Sequence, residues 1–328
     1  RLYSNPANPS LTPFTLTEKE DVLKQLITGN EAVARGAWEA GVRFASAYPG
    51  TPSTEILENI ATYQAIHAEW APNEKTALES VIGASLAGAR AIASMKHVGL
   101  NVAADPFFTF AYIGVNAGAV VVTADEPGQF SSQNEQDNRN YAKAAMTPMF
   151  EPSDSQECKD MLLEAFEISE QYDIPVLFRM TTRVCHSKSL VELGERQDVP
   201  LKPYVKNIKK YVAVPANARP MKVKVQENQA LLRVYSNNCQ WNRIEMHEPG
   251  IGIICSGDCY LYAREVFGDG ASYLKLGFTN PLPEDLIREF ASKVEKVYII
   301  EENDPYIEDH VRALGIACDG KNIFPRNG

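Results

Sequence analysis

Residues 117–123 read Ala-Gly-Ala-Val-Val-Val-Thr. A short β-branched run with no polar alternation is the pattern of a strand buried on both faces. Such a strand needs covering layers on each side, and the flanking sequence supplies them. Gly29-Asn30-Glu31 opens a helix running to Ala40, with Val33, Ala37 and Ala40 on one face. Phe44–Tyr48 reads as a strand, residues 49–54 as a turn, and a helix follows from Thr54. Asn73 is a good N-cap for a helix to about Arg90, and Ala91–Met95 is the next strand. Ser153–Tyr172 has the cap, period and length of a helix, and Ile174–Met180 is a further buried strand. Strand–helix alternation of this kind implies a mainly parallel sheet with helices on both faces.

The chain has 328 residues, which suits about two domains. With 45% hydrophobic and 23% charged residues, it is not a disordered chain. A net charge of −10 argues against general nucleic-acid binding, which wants a basic face. Apolar runs such as 117–124 are too short to span a bilayer. The six cysteines at 158, 185, 239, 255, 259 and 318 form no CxxC pair. They read as ordinary thiols of a protein in a reducing cytoplasm.

Four segments organise the chain. Residues 1–27, with three prolines before Thr15, read as an N-terminal arm. Residues 28–190 carry the first α/β domain. Residues 191–247 change character: the stretch from Pro200 to Val225 holds several Lys and Arg but no Asp or Glu, and reads as a connecting segment over a surface. Residues 248–328 resume the α/β pattern, with strands at Ile251–Cys255, Tyr273–Leu276 and Lys296–Glu301, as a second, smaller domain.

Four constellations carry polar groups to the ends of predicted strands, where open α/β sheets bind ligands. The first is Tyr48-Pro49-Gly50-Thr51-Pro52-Ser53-Thr54-Glu55, whose hydroxyls and free helix donors suit an anion. Its plainer reading is a helix entry capped by Ser53 or Thr54. The second is Glu74, at the start of a helix whose residues 81–89 are nearly all small or apolar. Its plainer reading is a first-turn acid favoured by the helix dipole. The third is Asp125-Glu126-Pro127-Gly128 with the polar run from Ser131 to Arg139, which includes Gln133 and Asn134. It is a candidate site wall or a solvated loop. The fourth is residues 179–187, with Arg179, Arg183 and His186 at a strand end. No GxGxxG, P-loop, HExxH or GxSxG occurs, so nicotinamide, kinase, zinc-protease and serine-hydrolase readings lack support.

Together, the segments YPGTPSTEI, NEKTALESVIGASLAGARA, TADEPGQFSSQNEQDNRNYAKAAMTPMFEPSD and FRMTTRVCHS resemble the amino-terminal region of indolepyruvate–ferredoxin oxidoreductase alpha subunits. These belong to the thiamine-diphosphate-dependent 2-oxoacid:ferredoxin oxidoreductases. The resemblance spans about residues 28–328, and SSQNEQDNR and TTRVCHS are its most specific parts. It implies that the first domain binds the aminopyrimidine half of thiamine diphosphate, and that the second is similar to the transketolase carboxyl-terminal domain.

Thiamine chemistry needs a carboxylic acid at the aminopyrimidine ring nitrogen, held in an apolar setting. Glu74 aligns with that glutamate; Glu79 is its competitor on another helix face. Pro49, Gly50 and Thr51 align with the cofactor-side turn, with Thr51 the family's substrate-side hydroxyl. Ser53, Asp125, Gln133, Asn134 and Arg183 are the substrate-side candidates. Where pyruvate-type relatives place an arginine, this chain has Asp125-Glu126, a departure that fits a bulkier aryl 2-oxoacid.

The implied reaction decarboxylates that acid oxidatively, passes electrons to ferredoxin through [4Fe-4S] clusters and transfers the acyl group to coenzyme A. The family's diphosphate and Mg2+ site is a glycine–aspartate–glycine motif followed by an asparagine pair. Here Gly268-Asp269-Gly270 has no such pair and reads as a turn. Mg2+ and the clusters are therefore expected on a remaining portion or a partner subunit, in an oligomer. Two other readings stay open: a non-catalytic structural subunit, and a nucleotide- or coenzyme A-binding protein using Gly257-Asp258 and the basic segment.

Overall fold

A computed structural model describes residues 23–325. Most of the expected N-terminal arm falls outside the described residues. The elements of the first half are β1 (Lys24–Thr28), α1 (Gly29–Glu39), β2 (Phe44–Ala47), α2 (Thr54–Ile60), β3 (His67–Trp70), α3 (Glu74–Leu86), β4 (Ala91–Lys96), α4 (His97–Val102), α5 (Ala104–Ile113) and β5 (Ala119–Asp125). Next come α6 (Arg139–Ala145), β6 (Met149–Phe150), α7 (Ser155–Tyr172), β7 (Val176–Thr181), α8 (Thr182–His186) and β8 (Lys188–Glu192). The remainder is α9 (Ile208–Tyr211), α10 (Pro215–Asn238), β9 (Arg243–Glu245), β10 (Gly252–Ser256), α11 (Cys259–Phe267), β11 (Ser272–Leu276), β12 (Phe278–Asn280), α12 (Glu284–Ala291), β13 (Val297–Ile300), α13 (Tyr306–Ala313) and β14 (Cys318–Asp319).

The larger sheet runs β12–β6–β7–β5–β4–β2–β3 and is parallel except at the β12 edge. The second runs β14–β13–β10–β11–β9, parallel except at β9. β5 sits near the middle of the larger sheet and is buried along its whole length. Val120 and Val122 face one apolar core, while Ala119 and Val121 face the other, as side-chain alternation across a pleat requires. On the first face α1 lies against α7. A Cβ on Gly36 would come within 2.9 Å of the Lys159 carbonyl oxygen, so the small residues of α1 permit a close backbone approach.

Two local differences from the sequence reading have clear causes. The third helix ends at Leu86 rather than Arg90, because Ala87 caps it and Gly88 turns the chain at φ +98°. The stretch read as a connecting segment contains the 24-residue α10. Its inner face is Met221, Val225, Asn228, Gln229, Leu232 and Ser236, and three polar residues on that stripe hide the helical period. The amides are used: Asn228 donates to the Tyr172 carbonyl at 2.6 Å and Gln229 to that of Met146 at 2.7 Å. Gly268–Gly270 forms a single 3-10 turn.

Candidate active site at the carboxyl edge of the larger sheet

Parallel pairing brings the carboxyl ends of β3, β2, β4, β5 and β7 to one edge, where parts of the four polar constellations lie. After β2, the turn at 49–53 is closed by its own hydroxyls. Ser53 Oγ donates to the Gly50 carbonyl at 2.9 Å, and Gly50 N–H donates to Thr54 Oγ1 at 2.9 Å. Ser53 occupies the N-cap position of α2 but makes no capping bond. It is 2% exposed, so it builds the turn, whereas Pro49 and Thr51 are exposed at the tip. Asn30 of α1 anchors the turn through the Pro52 carbonyl at 2.8 Å and Glu55 at 3.1 Å.

Glu74 opens α3 behind the N-cap Asn73, whose side chain accepts from Thr76 N–H at 2.9 Å. The Glu74 side chain is buried at 8% exposure, yet accepts no hydrogen bond from any described residue. It packs on Gly99 of α4 so closely that a Cβ there would lie 2.7 Å from Glu74 Oε1. Three residues upstream, the aliphatic stem of Lys96 runs over Gly50, where a Cβ would meet it at 3.2 Å. The turn and the carboxylate therefore converge on one junction, Lys96-His97-Val98-Gly99, which the motif reading did not single out. Its signal was a polar pair and a glycine directly after an apolar strand. Glu79, the competing acid, is exposed and lies 3.9 Å from Lys75.

The polar loop after β5 is tied to the same junction. His97 is fully buried, with Nε2 2.9 Å from the Asn134 carbonyl and Nδ1 unpaired. Gln136 and Asn138 donate to the His97 carbonyl at 2.7 and 3.2 Å. Ser131 donates twice to Glu126, at 2.9 and 2.7 Å. Burial works to raise the Glu126 carboxyl, but the Ser131 and Ser132 donors outweigh it and hold it below the usual range. Gln133 and Asn134 present exposed side chains.

Asp125 does not reach the open edge. It is 0% exposed and belongs to an ionic seam joining the two sheets. Arg179 of β7 donates to Asp125 at 2.6 Å, to Glu151, and to Asn303 at 2.7 Å. Arg139 donates to both Asp137 oxygens and to Glu301 at 2.7 Å. Burial pushes Asp125 upward despite Arg179. Burial acts on Asp137 in the same sense, but Arg139 and Arg179 prevail and hold it below the carboxylate range. The fourth constellation thus divides: Arg179 is spent in the seam, while Arg183 is exposed, its guanidinium 5.7 Å over the Tyr262 ring.

Between the two larger sheets, the carboxyl ends of β7, β10 and β13 enclose a second acidic pair. Thr181 Oγ1 donates to Asp258 Oδ1 at 3.3 Å. Burial, and then the charge of Asp258, pushes Glu302 up to about 8. Glu302 lines a cleft of about 310 Å³ with Pro127, Phe130, Thr182 and Arg183. Neither Asp258 as an acid nor Glu302 carries a motif that sequence reading could have found. Their meeting depends on how two sheets face each other.

The residues present fit the aminopyrimidine half of thiamine diphosphate on one structural ground. Glu74 is a largely buried side chain at a helix start, its carboxylate resting on Gly99 without a protein donor and with oxygens left open to a ligand.

Similarity to known proteins establishes the family. Residues 35–245 match the family described as "Pyruvate flavodoxin/ferredoxin oxidoreductase, thiamine diP-bdg". The chain is 44% identical to "Indolepyruvate oxidoreductase subunit IorA" of Archaeoglobus fulgidus, over 90% of this chain and 49% of that protein. It is 46% identical to the protein of the same name from Methanothermobacter marburgensis, over 90% of this chain and 50% of that one. It thus spans about half the length of these curated relatives. A structure titled "2-oxoglutarate:ferredoxin oxidoreductase from Magnetococcus marinus with 2-oxoglutarate, coenzyme A and succinyl-CoA bound" shares the fold, with a TM-score of 0.77 at 20% identity. The match covers 90% of this chain and 61% of that one. With a family match over well more than half its residues, the chain belongs to the thiamine-diphosphate-binding family of pyruvate flavodoxin/ferredoxin oxidoreductases.

Proposed function

We propose that this chain forms the aminopyrimidine-binding part of an enzyme that oxidatively decarboxylates an aryl 2-oxoacid of the indolepyruvate kind. Its product would be an acyl-coenzyme A and its electron acceptor ferredoxin. Thiamine diphosphate, when bound, supplies the carbanion chemistry that removes carbon dioxide from the 2-oxoacid. The names of the relatives matched at 44–46% identity support the substrate class. Other subunits or portions would supply Mg2+ and the iron–sulfur clusters, and the assembly would be cytoplasmic. Among the described residues, no helix is long and apolar enough to cross a membrane. Residues 28–190 would be the pyrimidine-binding domain and 248–328 the transketolase-like one.

One observation carries the reading: the unsatisfied, glycine-cradled carboxylate of Glu74 beside the 49–53 turn. Glu74 would hold a proton against the cofactor's ring nitrogen, and Pro49, Gly50 and Thr51 would bound the cofactor, with the Thr51 hydroxyl toward the substrate. The tethered loop with Gln133 and Asn134, and Arg183 across the cleft, would exclude water from the 2-oxoacid. Asp125 would act by fixing Asn138 and Arg179, at 3.0 and 2.6 Å, and so the shape of that wall. The test compares Glu74→Gln with Glu79→Gln in the assembled enzyme. It reads thiamine diphosphate binding by calorimetry and arylpyruvate-dependent dye reduction. Loss in the first variant alone supports the assignment. Normal binding and turnover in Glu74→Gln overturns it.

A further inference from the structure

A cavity of about 200 Å³ opens beside the start of β6, where helices of both domains meet. Lys143 of α6, Arg233 of α10 and His310 of α13 line it, with Glu284 of α12 the only acid. In a chain of net charge −10, that is an unusual local excess of positive charge. Neither cation is neutralised. Lys143 meets only the Tyr306 ring, 5.9 Å below its ammonium, and the Arg233 side chain pairs with no described residue. His310 Nε2 is buried without a hydrogen bond, its nearest carboxylate oxygen, on Glu284, being 3.9 Å away. The cavity wall itself is braced. Asn280 donates to the Thr147 carbonyl at 2.6 Å and to that of Ala142 at 3.1 Å.

Three basic groups from three helices, one of them a buried and unsatisfied ring nitrogen, lack a shared acceptor. We propose that this cavity binds a small oxyanion, a phosphate or a short carboxylate, held by Lys143, Arg233 and a protonated His310. Charge-assisted bonds to such an anion strengthen in a partly enclosed site. The anion also answers a cost now borne by His310. Burial, with smaller help from Lys143 and Arg233, outweighs the opposing Glu284 carboxylate and holds the imidazole below its ordinary value. Since α6 and α10 pack on the larger sheet while α12 and α13 belong to the second domain, the bound ion would clamp the two together. Ligand binding to the native state alone stabilises it by RT ln(1 + L/Kd) at free ligand concentration L, so Tm keeps rising with the logarithm of concentration above Kd.

The experiment titrates the full chain at pH 7 with sodium phosphate, and separately with sodium malonate, at ionic strength fixed by chloride. Thermal unfolding and calorimetry read binding in wild type, in the Lys143→Ala/Arg233→Ala double variant, and in a Lys24→Ala control. Both replaced cations are exposed, so the double variant keeps its fold in chloride. A saturable calorimetric isotherm with one anion, accompanied by a rise in Tm, with affinity weakened at least about tenfold in the double variant and unchanged in the control, is expected. Which anion gives it separates phosphate from carboxylate recognition. Proton NMR of the His310 ring, assigned with His310→Gln, should show its pKa rising when the anion is present. No saturable effect up to about 20 mM of either anion, or equal binding by the double variant, overturns the proposal.

Discussion

Two sets of largely buried carboxylates differ in what surrounds them. Asp125, Asp137, Glu151 and Glu301 are almost wholly buried, and each meets Arg139 or Arg179. Glu74 is 8% exposed and meets no protein donor, and neither of its oxygens is fully occluded. Removing a carboxylate from water costs several kcal/mol unless something replaces the lost hydration. The seam is compensated within the chain and holds two sheets in register. Glu74 has no partner within the chain, and its oxygens stay open to water or to a ligand. Burial alone therefore does not distinguish a structural acid from a functional one; the inventory of donors does.

The sharpest break of this comparison is Glu74→Gln, which leaves shape and burial intact but removes the acidic proton. Turnover of the assembled enzyme should fall by about 100- to 10,000-fold, the usual range for a lost proton-transfer partner. Thermal stability should change little, since no protein hydrogen bond is lost. A large drop in Tm with turnover retained would place Glu74 with the structural acids.

The converse substitution acts on the seam. Arg139→Met keeps much of the apolar stem but leaves Asp137 and Glu301 buried together without their cation. Breaking a buried pair from one side costs about 3–5 kcal/mol. Denaturant unfolding should show that loss. Pairing it with Asp137→Asn should recover part of it, because the double variant no longer strands a charge.

How much of this was legible beforehand follows from the same physics. Strands such as 117–123 announce themselves because continuous apolar runs have few other uses. The turn at 49–53 and the placement of Glu74 were legible because caps and turns are local in sequence. The seam was not, because Arg139 and Glu301 are 162 residues apart and meet only through packing. Asp125 was read as facing substrate from its place at a strand end. Sequence fixes that place, but it does not reveal that Arg179, two strand residues before the end of the neighbouring β7, turns inward to claim it. α10 was hidden because its buried stripe is half polar.

The Glu302 pair sharpens the comparison through pH. An unfolded Glu ionises near 4.5, whereas burial and the Asp258 charge keep Glu302 protonated up to about 8. Between those values the native state holds the extra proton. Its contribution to stability is complete below about 4.5 and is lost as pH rises to about 8. The slope approaches 1.4 kcal/mol per pH unit for one proton. Glu302→Gln should flatten that part of the stability profile measured by urea unfolding from pH 5 to 8. An unchanged slope would mean that Glu302 shares no proton with Asp258.

Glu79→Gln is the smallest expected effect and the control on all the others. Glu79 sits one and a half turns beyond Glu74 on the same helix, but its side chain is 54% exposed and its partner, Lys75, is already bonded to Asp105 at 2.9 Å. An exposed i,i+4 pair at 3.9 Å contributes about 0.3–0.5 kcal/mol at best, and salt screens it. The variant should unfold within about 0.5 kcal/mol of wild type and turn over normally. If it lost activity while Glu74→Gln kept it, the acid that serves the cofactor would be the exposed one. A carboxylate without a protein donor would then not mark function in this helix.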